Sequence, residues 1–449
     1  MLTEAIDRYH SLLNETEAFE TEAALNSELL MRRCYFGTRP LCTVLRPHFY
    51  LHDHYHYLKR QTELVMSAFR KAHQACLNDA ALRAQLDLEA YEEALFTLDI
   101  GFDAPWTTSR LDSFFHPESR ELRFVEYNAE TPAGMAYEDQ LAAAFLSLPI
   151  MRRFQKHYVA RRFNMTHGLL QALSTIYEQF GGSPAAMQIG IIDWADVPTL
   201  NEHELCREYF EAHGVRSILA DPRALEYRDG HVWAGDFRID LIYKRVLCSE
   251  LIARMGLDNP IVNAVRDRAV CMSNAFSAKL MAKKASFAFL SDERNAFILS
   301  PEERAAVEAH IPWTRRVQDR KTLFHGREID LLTFIAENQH NLVLKPNDEY
   351  GGRGVIIGWE VSHEQWIENL RGALHLPYVV QERVAASFED FPAILNGQFS
   401  FDKRLVDADP FIFFGQSSNG LLTRLSSSAL LNVTAGGGSV VPTFILYPR

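Results

Sequence analysis

The chain is 449 residues long, enough at about 150 residues per domain for roughly three domains and several buried cores, which excludes a small disulfide scaffold. With 47% apolar and 23% charged residues it has a globular make-up, and 23 glycines plus 18 prolines are too few for a low-complexity chain. Fifty-eight acidic against 46 basic residues leave a net charge of −12, which disfavours a nucleic-acid or anionic-membrane coat and points to small ligands held in a local basic pocket.

The most apolar stretch, Leu141 to Met151, falls short of the ~20 residues a membrane span needs, so no span is expected. The segment MLTEAIDRYHSLLNE is acidic and amphipathic and lacks the basic-then-apolar pattern of a secretion signal. Cys34, Cys42, Cys76, Cys206, Cys248 and Cys271 are scattered with no CxxC pair. Reduced thiols in a cytoplasmic protein are the expectation.

Apolar residues at helical spacing over Leu2 to Leu30 and Tyr57 to Leu98 predict a mostly helical region over residues 1–100. Between them lies RPHFYLHDHYHYLKR, where His52 and His56 would share a helix face. No companion ligand set at zinc-site spacing accompanies His52, His54 and His56, so the segment reads as the beginning of a helix with surface or satisfied histidines. Arg46, in LRPHFY, is of the type that holds a carboxylate, but on a loop it reads more simply as solvated. Within residues 101–150, SRLDSFF, the polar turn HPESRE and LRFVEYN predict a β-hairpin, with a helix following from about Tyr137.

Arg152 to Phe180 predicts one long amphipathic helix stopped by Gly181, Gly182 and Pro184. Over residues 151–265, strands in QIGIIDW, VRSILAD and FRIDLIYKRV alternate with the helix LNEHELCREYFEAHG, the pattern of a small parallel α/β unit. No GxGxxG follows its first strand, so a dinucleotide is not expected there. Residues 266–449 hold the lysine-bearing helix SAKLMAKKASFAFLSD and then strand-rich sequence. NLVLKPNDEYGGRGVIIG reads as strand, glycine loop and strand, and YVVQERV as another strand. The chain is therefore expected in the α/β (α+β) class.

Side chains two apart on a strand share a face, so Glu126 and Asn128 of FVEYN project together. A turn near Glu118 would bring Asp112 opposite Glu126. Two carboxylates and an amide oxygen suit hard Mg²⁺, which completes its shell with water and phosphate, whereas without a cation the carboxylates repel. Arg110, two residues before Asp112, would aim a fixed cation into the same place. An ordinary polar hairpin face with Arg110 as an ion-pair partner is the other reading. In LVLKPNDEYGGRGV, Lys345 closes an apolar strand ahead of Gly351, Gly352 and Gly354. The lysine precedes the glycines, so this is not a Walker A loop. Glycines nonetheless let phosphate oxygens approach backbone N–H groups, while Lys345 and Arg353 supply charge. A glycine-rich turn without a ligand is the alternative.

Together these segments resemble the ATP-grasp superfamily. FVEYNAETPAGM is similar to the E-x-N-x-x-P-G-M signature of D-alanine:D-alanine ligases, and SRLD to the strand bearing their arginine and first metal aspartate. LVLKP with its glycine loop is similar to the second-lysine strand and phosphate loop, YVVQERV to the interdomain strand that contacts adenine, and RLSSSALLNVTAGGG to the R-x-n-N-x-x-x-G-G element of glutathione synthetase relatives. The order is rotated, with the metal element near the beginning. That order resembles the circularly permuted ATP-grasp group, which includes glutathionylspermidine synthetase. The resemblance runs from about Asp103 to the end, with Gln188 to Val246 as a Rossmann-like pre-ATP-grasp unit and the helical N-terminal region outside it. AETPAGM departs from the signature by one extra residue before the proline and an alanine after it, which keeps the metal residues and reshapes the substrate side. No cysteine amidase block is present, so amide cleavage is not implied.

The resemblance implies an ATP- and Mg²⁺-dependent carboxylate–amine ligase working through an acylphosphate. Asp112, Glu126 and Asn128 would hold Mg²⁺, and Lys345, Gly351, Gly352, Arg353 and Gly354 would hold ATP together with a lysine of SAKLMAKKA. Spacing favours Lys279, then Lys284; at least one of Lys279, Lys283 and Lys284 is expected on a solvated helix face. Gln381, Glu382 and Val384 would bind adenine, with Glu382 reaching ribose or the adenine amino group. Arg110 would stabilise the acylphosphate, and Arg424 and Asn432 would complete the phosphate and metal surroundings. The expected partners are a small acid and a small amine, with neither nucleic acid nor membrane. An ATP-binding scaffold and an ATP-dependent phosphotransferase are the competing readings; a scaffold has no use for a complete set of Asp112, Glu126, Asn128 and Lys345.

Overall fold

The computed structural model describes residues 1–98, 100–427 and 438–449. Thr108–His116 and Glu121–Asn128 form the expected hairpin, with Asp112 paired to Glu126 and Arg110 to Asn128. An irregularity in register falls just after Asp112. The hairpin is not an isolated ribbon, which would be marginally stable. Thr108–His116 pairs with Asp409–Phe413, and this extends through Ser417–Ser426 and Gln398–Val406 to Ser387–Leu395 in one antiparallel sheet. Phe115 and Phe124 on the hairpin and Phe411 on its neighbour point into the main core with Phe69 of the long helix His52–Asn78.

A second antiparallel sheet is ordered Thr314–Arg316, Tyr378–Glu382, Leu342–Pro346 and Ile356–Ile357. Its apolar face packs on Trp366, Leu331 and Ile335 in a core of its own. The third layer is the parallel sheet ordered Cys271–Ser273, Leu241–Lys244, Gln188–Ile192 and Arg216–Ala220. Three of its strands are buried, as crossover helices on a parallel sheet require, while the edge strand Arg216–Ala220 is largely half-buried. FRIDLIYKRV, expected as one strand, is two: Phe237–Ile239 joins a small antiparallel sheet with His231–Ala234, and Leu241–Lys244 joins the parallel one.

The single helix expected over Arg152 to Phe180 is instead a helix Pro149–Phe154, a strand Tyr158–Arg161 and a helix Met165–Gln179. Two distant contacts break it. The strand pairs with the C-terminal strand Thr443–Pro448, which also runs parallel to His48–Leu51. Asp139 accepts from the amides of Met165 and Thr166 at 2.8 Å each, satisfying the first donors of the new helix.

Arg46 is fully buried, contrary to the solvated reading. Its guanidinium pairs with Glu389, donates to Pro47 O at 3.2 Å and Asp390 O at 3.3 Å, and lies 4.2 Å from the Phe391 ring centre. The carboxylate it holds is thus the chain's own, and the pair fastens the N-terminal region to the strand Ser387–Leu395. Glu389→Gln would leave a buried cation without its counter-charge and should cost about 3 kcal/mol. Urea unfolding should show this as a lower midpoint at unchanged slope, and a midpoint equal to that of the parent would exclude it.

Candidate active site

The hairpin, the lysine segment, the glycine loop and the parallel unit meet around a cleft of about 340 Å³, within the range of small-ligand sites. Glu126 and Asn128 from the hairpin, Lys279 and Lys284, and Arg353 from the glycine loop all line it. Glu130 and Asp348, which the sequence reading did not single out, line it too.

Behind Asn128 lies a buried cluster of three carboxylates and two guanidiniums. Asp112 Oδ1 accepts from Arg110 Nε and Asn128 Nδ2, both at 2.8 Å, and Oδ2 accepts from Arg424 at 2.7 Å and Arg110 at 3.3 Å. Arg424 also reaches Asp407 at 2.6 Å and Asp409 at 2.9 Å. Burial opposes ionisation of Asp112, yet Arg110 and Arg424 outweigh it and hold the carboxyl below its ordinary value. For Asp409 burial wins, reinforced by Asp112 and Asp407, and its carboxyl is driven well above the usual range. Asp407 and Asp409 are two residues apart, the spacing that shares a face in extended chain, so VDAD carried the signal for them.

Lysines and carboxylates alternate along the other wall. Lys283 lies 2.8 Å from Glu92 and 3.7 Å from Asp348; Lys279 lies 2.6 Å from Asp348 and 3.3 Å from Glu130; Lys244 lies 3.4 Å from Glu130. Burial disfavours the Glu130 carboxylate, but Lys279 and Lys244 pull its pKa down to about 2. Lys284 pairs with Glu126 at 3.0 Å and donates to Glu349 O at 2.5 Å. The side chains of Lys279, Lys283 and Lys284 are only 5%, 2% and 11% exposed, so none of the three occupies a solvated face. Only Lys279 lies in the single helical turn Lys279–Ala282, Lys283 caps its end and Lys284 precedes the next helix, so the lysines diverge to separate partners.

Lys345 donates to Gln381 Oε1 at 2.6 Å and Val125 O at 3.2 Å. Gln381 Nε2 in turn donates to Thr314 at 3.1 Å. Gln381 thus orients Lys345. The Glu382 amide donates to Trp313 O at 2.8 Å and its carboxylate meets His325 at 3.0 Å. Gln381, Glu382 and Val384 are not among the residues lining the cleft. Gly351, Gly352 and Gly354 have φ of +64°, +76° and +68°, left-handed values that cost other residues strain. Asn432 lies outside the described residues.

Over 96% of this chain and 98% of the other, the structure superposes on a glutathione synthetase-like effector of Globodera pallida at a TM-score of 0.58 and 10% identity. The fold is of the ATP-grasp type. A putative glutamate–cysteine ligase of Frankia casuarinae is 25% identical over 253 residues, 53% of this chain and 27% of that protein. An uncharacterized protein of Synechocystis is 22% identical over 260 residues, 54% of this chain and 50% of that protein. The chain therefore aligns with half or less of these curated relatives. No family model matches it. Among the described residues, no helix is long and apolar enough to cross a membrane.

The ATP-grasp reading makes Asp112, Glu126 and Asn128 a Mg²⁺ set, and the donors can be checked against it. Glu126 and Asn128 face the cleft and fit an oxygen-ligated cation. Asp112 does not fit in this arrangement, since both of its oxygens are saturated by Arg110, Arg424 and Asn128. Its observed part is to hold two arginines beside the ATP-grasp cleft.

Burial, eased by Glu126, lowers the Lys345 ammonium to about 8 from its ordinary 10.5. The unfolded chain therefore binds more protons than the folded one between those values, and stability should rise with pH across that window. Lys345→Met should lack this rise when urea midpoints are compared at about pH 7.5 and about pH 10. Parallel profiles for the two proteins would contradict the lowered value.

Proposed function

We propose that this protein is an ATP-dependent carboxylate–amine ligase of the circularly permuted ATP-grasp type, forming an amide through an acylphosphate. The observation that carries the reading is the convergence of the hairpin residues Glu126 and Asn128, the lysines Lys279 and Lys284 and the glycine-loop residue Arg353 on one cleft, with the half-buried Lys345 beside Glu126. The name of the Frankia relative supports a ligase, and the rotated order of hairpin and lysine strand supports the permutation. On this reading the permuted unit comprises residues 101–150 and 266–449, with residues 151–265 as the pre-ATP-grasp domain.

ATP transfers its terminal phosphoryl group to a substrate carboxylate, and an amine displaces phosphate from the acylphosphate. Such a reaction needs positioning and charge neutralisation and no enzyme nucleophile. Lys345, Lys279 and Lys284 neutralise phosphate oxygens from three directions, and Arg353 and the backbone of Gly351, Gly352 and Gly354 cover them. Gln381 fixes the Lys345 side chain. Arg110 and Arg424, anchored on Asp112, supply fixed positive charge beside the acyl group. Adenine would lie toward Glu382 and Val384 at the end of the strand Tyr378–Glu382. Mg²⁺, entering with ATP and held by Glu126 and Asn128, would neutralise phosphate charge.

Incubation with ATP and panels of carboxylic acids and amines should release ADP and yield a new amide by mass spectrometry. Lys345→Met and Glu126→Gln should each lower that turnover about 100-fold or more with the fold intact. A stable phosphorylated product would indicate a phosphotransferase, and nucleotide binding without turnover a scaffold.

A further inference from the structure

We propose that Asp348 is an internal stand-in for phosphate: its carboxylate occupies Lys279 and Lys283 in the cleft, and a polyphosphate ligand binds by displacing it. Asp348 belongs to the glycine loop and lines the cleft. At 27% its side chain is far more exposed than the other carboxylates of the lysine wall, Glu92 at 1% and Glu130 at 6%. Those two are locked in the walls, Glu92 by its own helix start and Glu130 by Lys244 and the Cys248 amide. Asp348 is the rung that can leave.

The chemistry of exchange is direct. Carboxylate and phosphate oxygens both accept charge-assisted hydrogen bonds from ammonium groups, and Asp348 Oδ1 sits 2.6 Å from Lys279 Nζ. With Asp348 in place, Lys244, Lys279 and Lys283 are balanced by Glu92, Glu130 and Asp348, so an arriving anion meets no net charge from this group. Once Asp348 has moved away the group carries one positive charge, available to the ligand. The same loop is fastened by Lys284 Nζ to Glu349 O at 2.5 Å and by Tyr350 OH to Glu250 of the parallel unit at 3.1 Å. Displacement of Asp348 therefore also loosens a tie that holds the glycine loop across the cleft. Asp348 sets polyphosphate affinity low and couples ligand entry to loop movement.

The proposal rests on the ATP-binding reading only in naming the nucleotide. Calorimetric titration of the full chain with ATP and with inorganic tripolyphosphate tests it, using the parent, Asp348→Asn and Asp348→Ala, each checked for a cooperative melt. Both variants should bind each probe about tenfold more tightly than the parent, as expected when one competing charge is removed. Equal or weaker binding of tripolyphosphate by a folded variant would overturn the proposal, since Asp348 would then be positioning Lys279. Tighter tripolyphosphate binding with no ATP binding by any protein would leave the exchange standing and remove the nucleotide reading.

Discussion

Six buried or half-buried charges alternate in sign from Glu92 through Lys283, Asp348, Lys279 and Glu130 to Lys244. Removing any of them from water is costly unless an opposite charge and hydrogen bonds replace the solvent. The members come from the N-terminal region, the lysine segment, the glycine loop, the end of the hairpin and the parallel unit. No one of these segments could bury its own charge alone. Forming the ladder therefore brings five distant parts of the chain together, and the cleft is the space left beside them.

The second charge cluster has a different balance. Arg110 and Arg424 face Asp112, Asp407 and Asp409, leaving one carboxylate in excess if all are ionised. The excess falls on Asp409, whose burial among two other acids drives its carboxyl well above the ordinary range. One arginine sits on each side of the join between Thr108–His116 and the C-terminal strands, and Asp112 bridges them. The cost of holding two guanidiniums out of water is met by these three acids, which keeps both at fixed positions.

Between the two clusters runs the loop Ala129 to Gly134, where the sequence departs from the ligase signature. Arg110 donates to Ala133 O and Arg245 to Pro132 O, Asn274 donates to Ala129 O and Glu130 O, and the Gly134 amide donates to Glu202 at 2.6 Å. Five backbone groups of the reshaped loop are therefore held by side chains from other elements.

The sequence alone determined what depends on local pattern. Period-two alternation and a polar turn specify the hairpin and, through its length, the pairing of Asp112 with Glu126. An apolar run ending in Lys345 before three glycines specifies a strand and a loop of left-handed residues. Alternating strands and helices specify the parallel unit. Tertiary structure decided whatever required a partner far along the chain. A helical pattern over Arg152 to Phe180 gave way to a strand because Thr443–Pro448 offered an unpaired edge and Asp139 offered a cap. Arg46, solvated on local grounds, is buried because Glu389 meets it, and Lys283, one of three lysines of which at least one is expected on a solvated face, is buried against Glu92. Asp112 carries the residue type of a metal ligand, but its oxygens are filled by Arg110 and Arg424, and Arg424 lies hundreds of residues away. Charge type is written in each residue, whereas the charge that answers it is chosen by the fold, since burial makes an unanswered one too costly to keep.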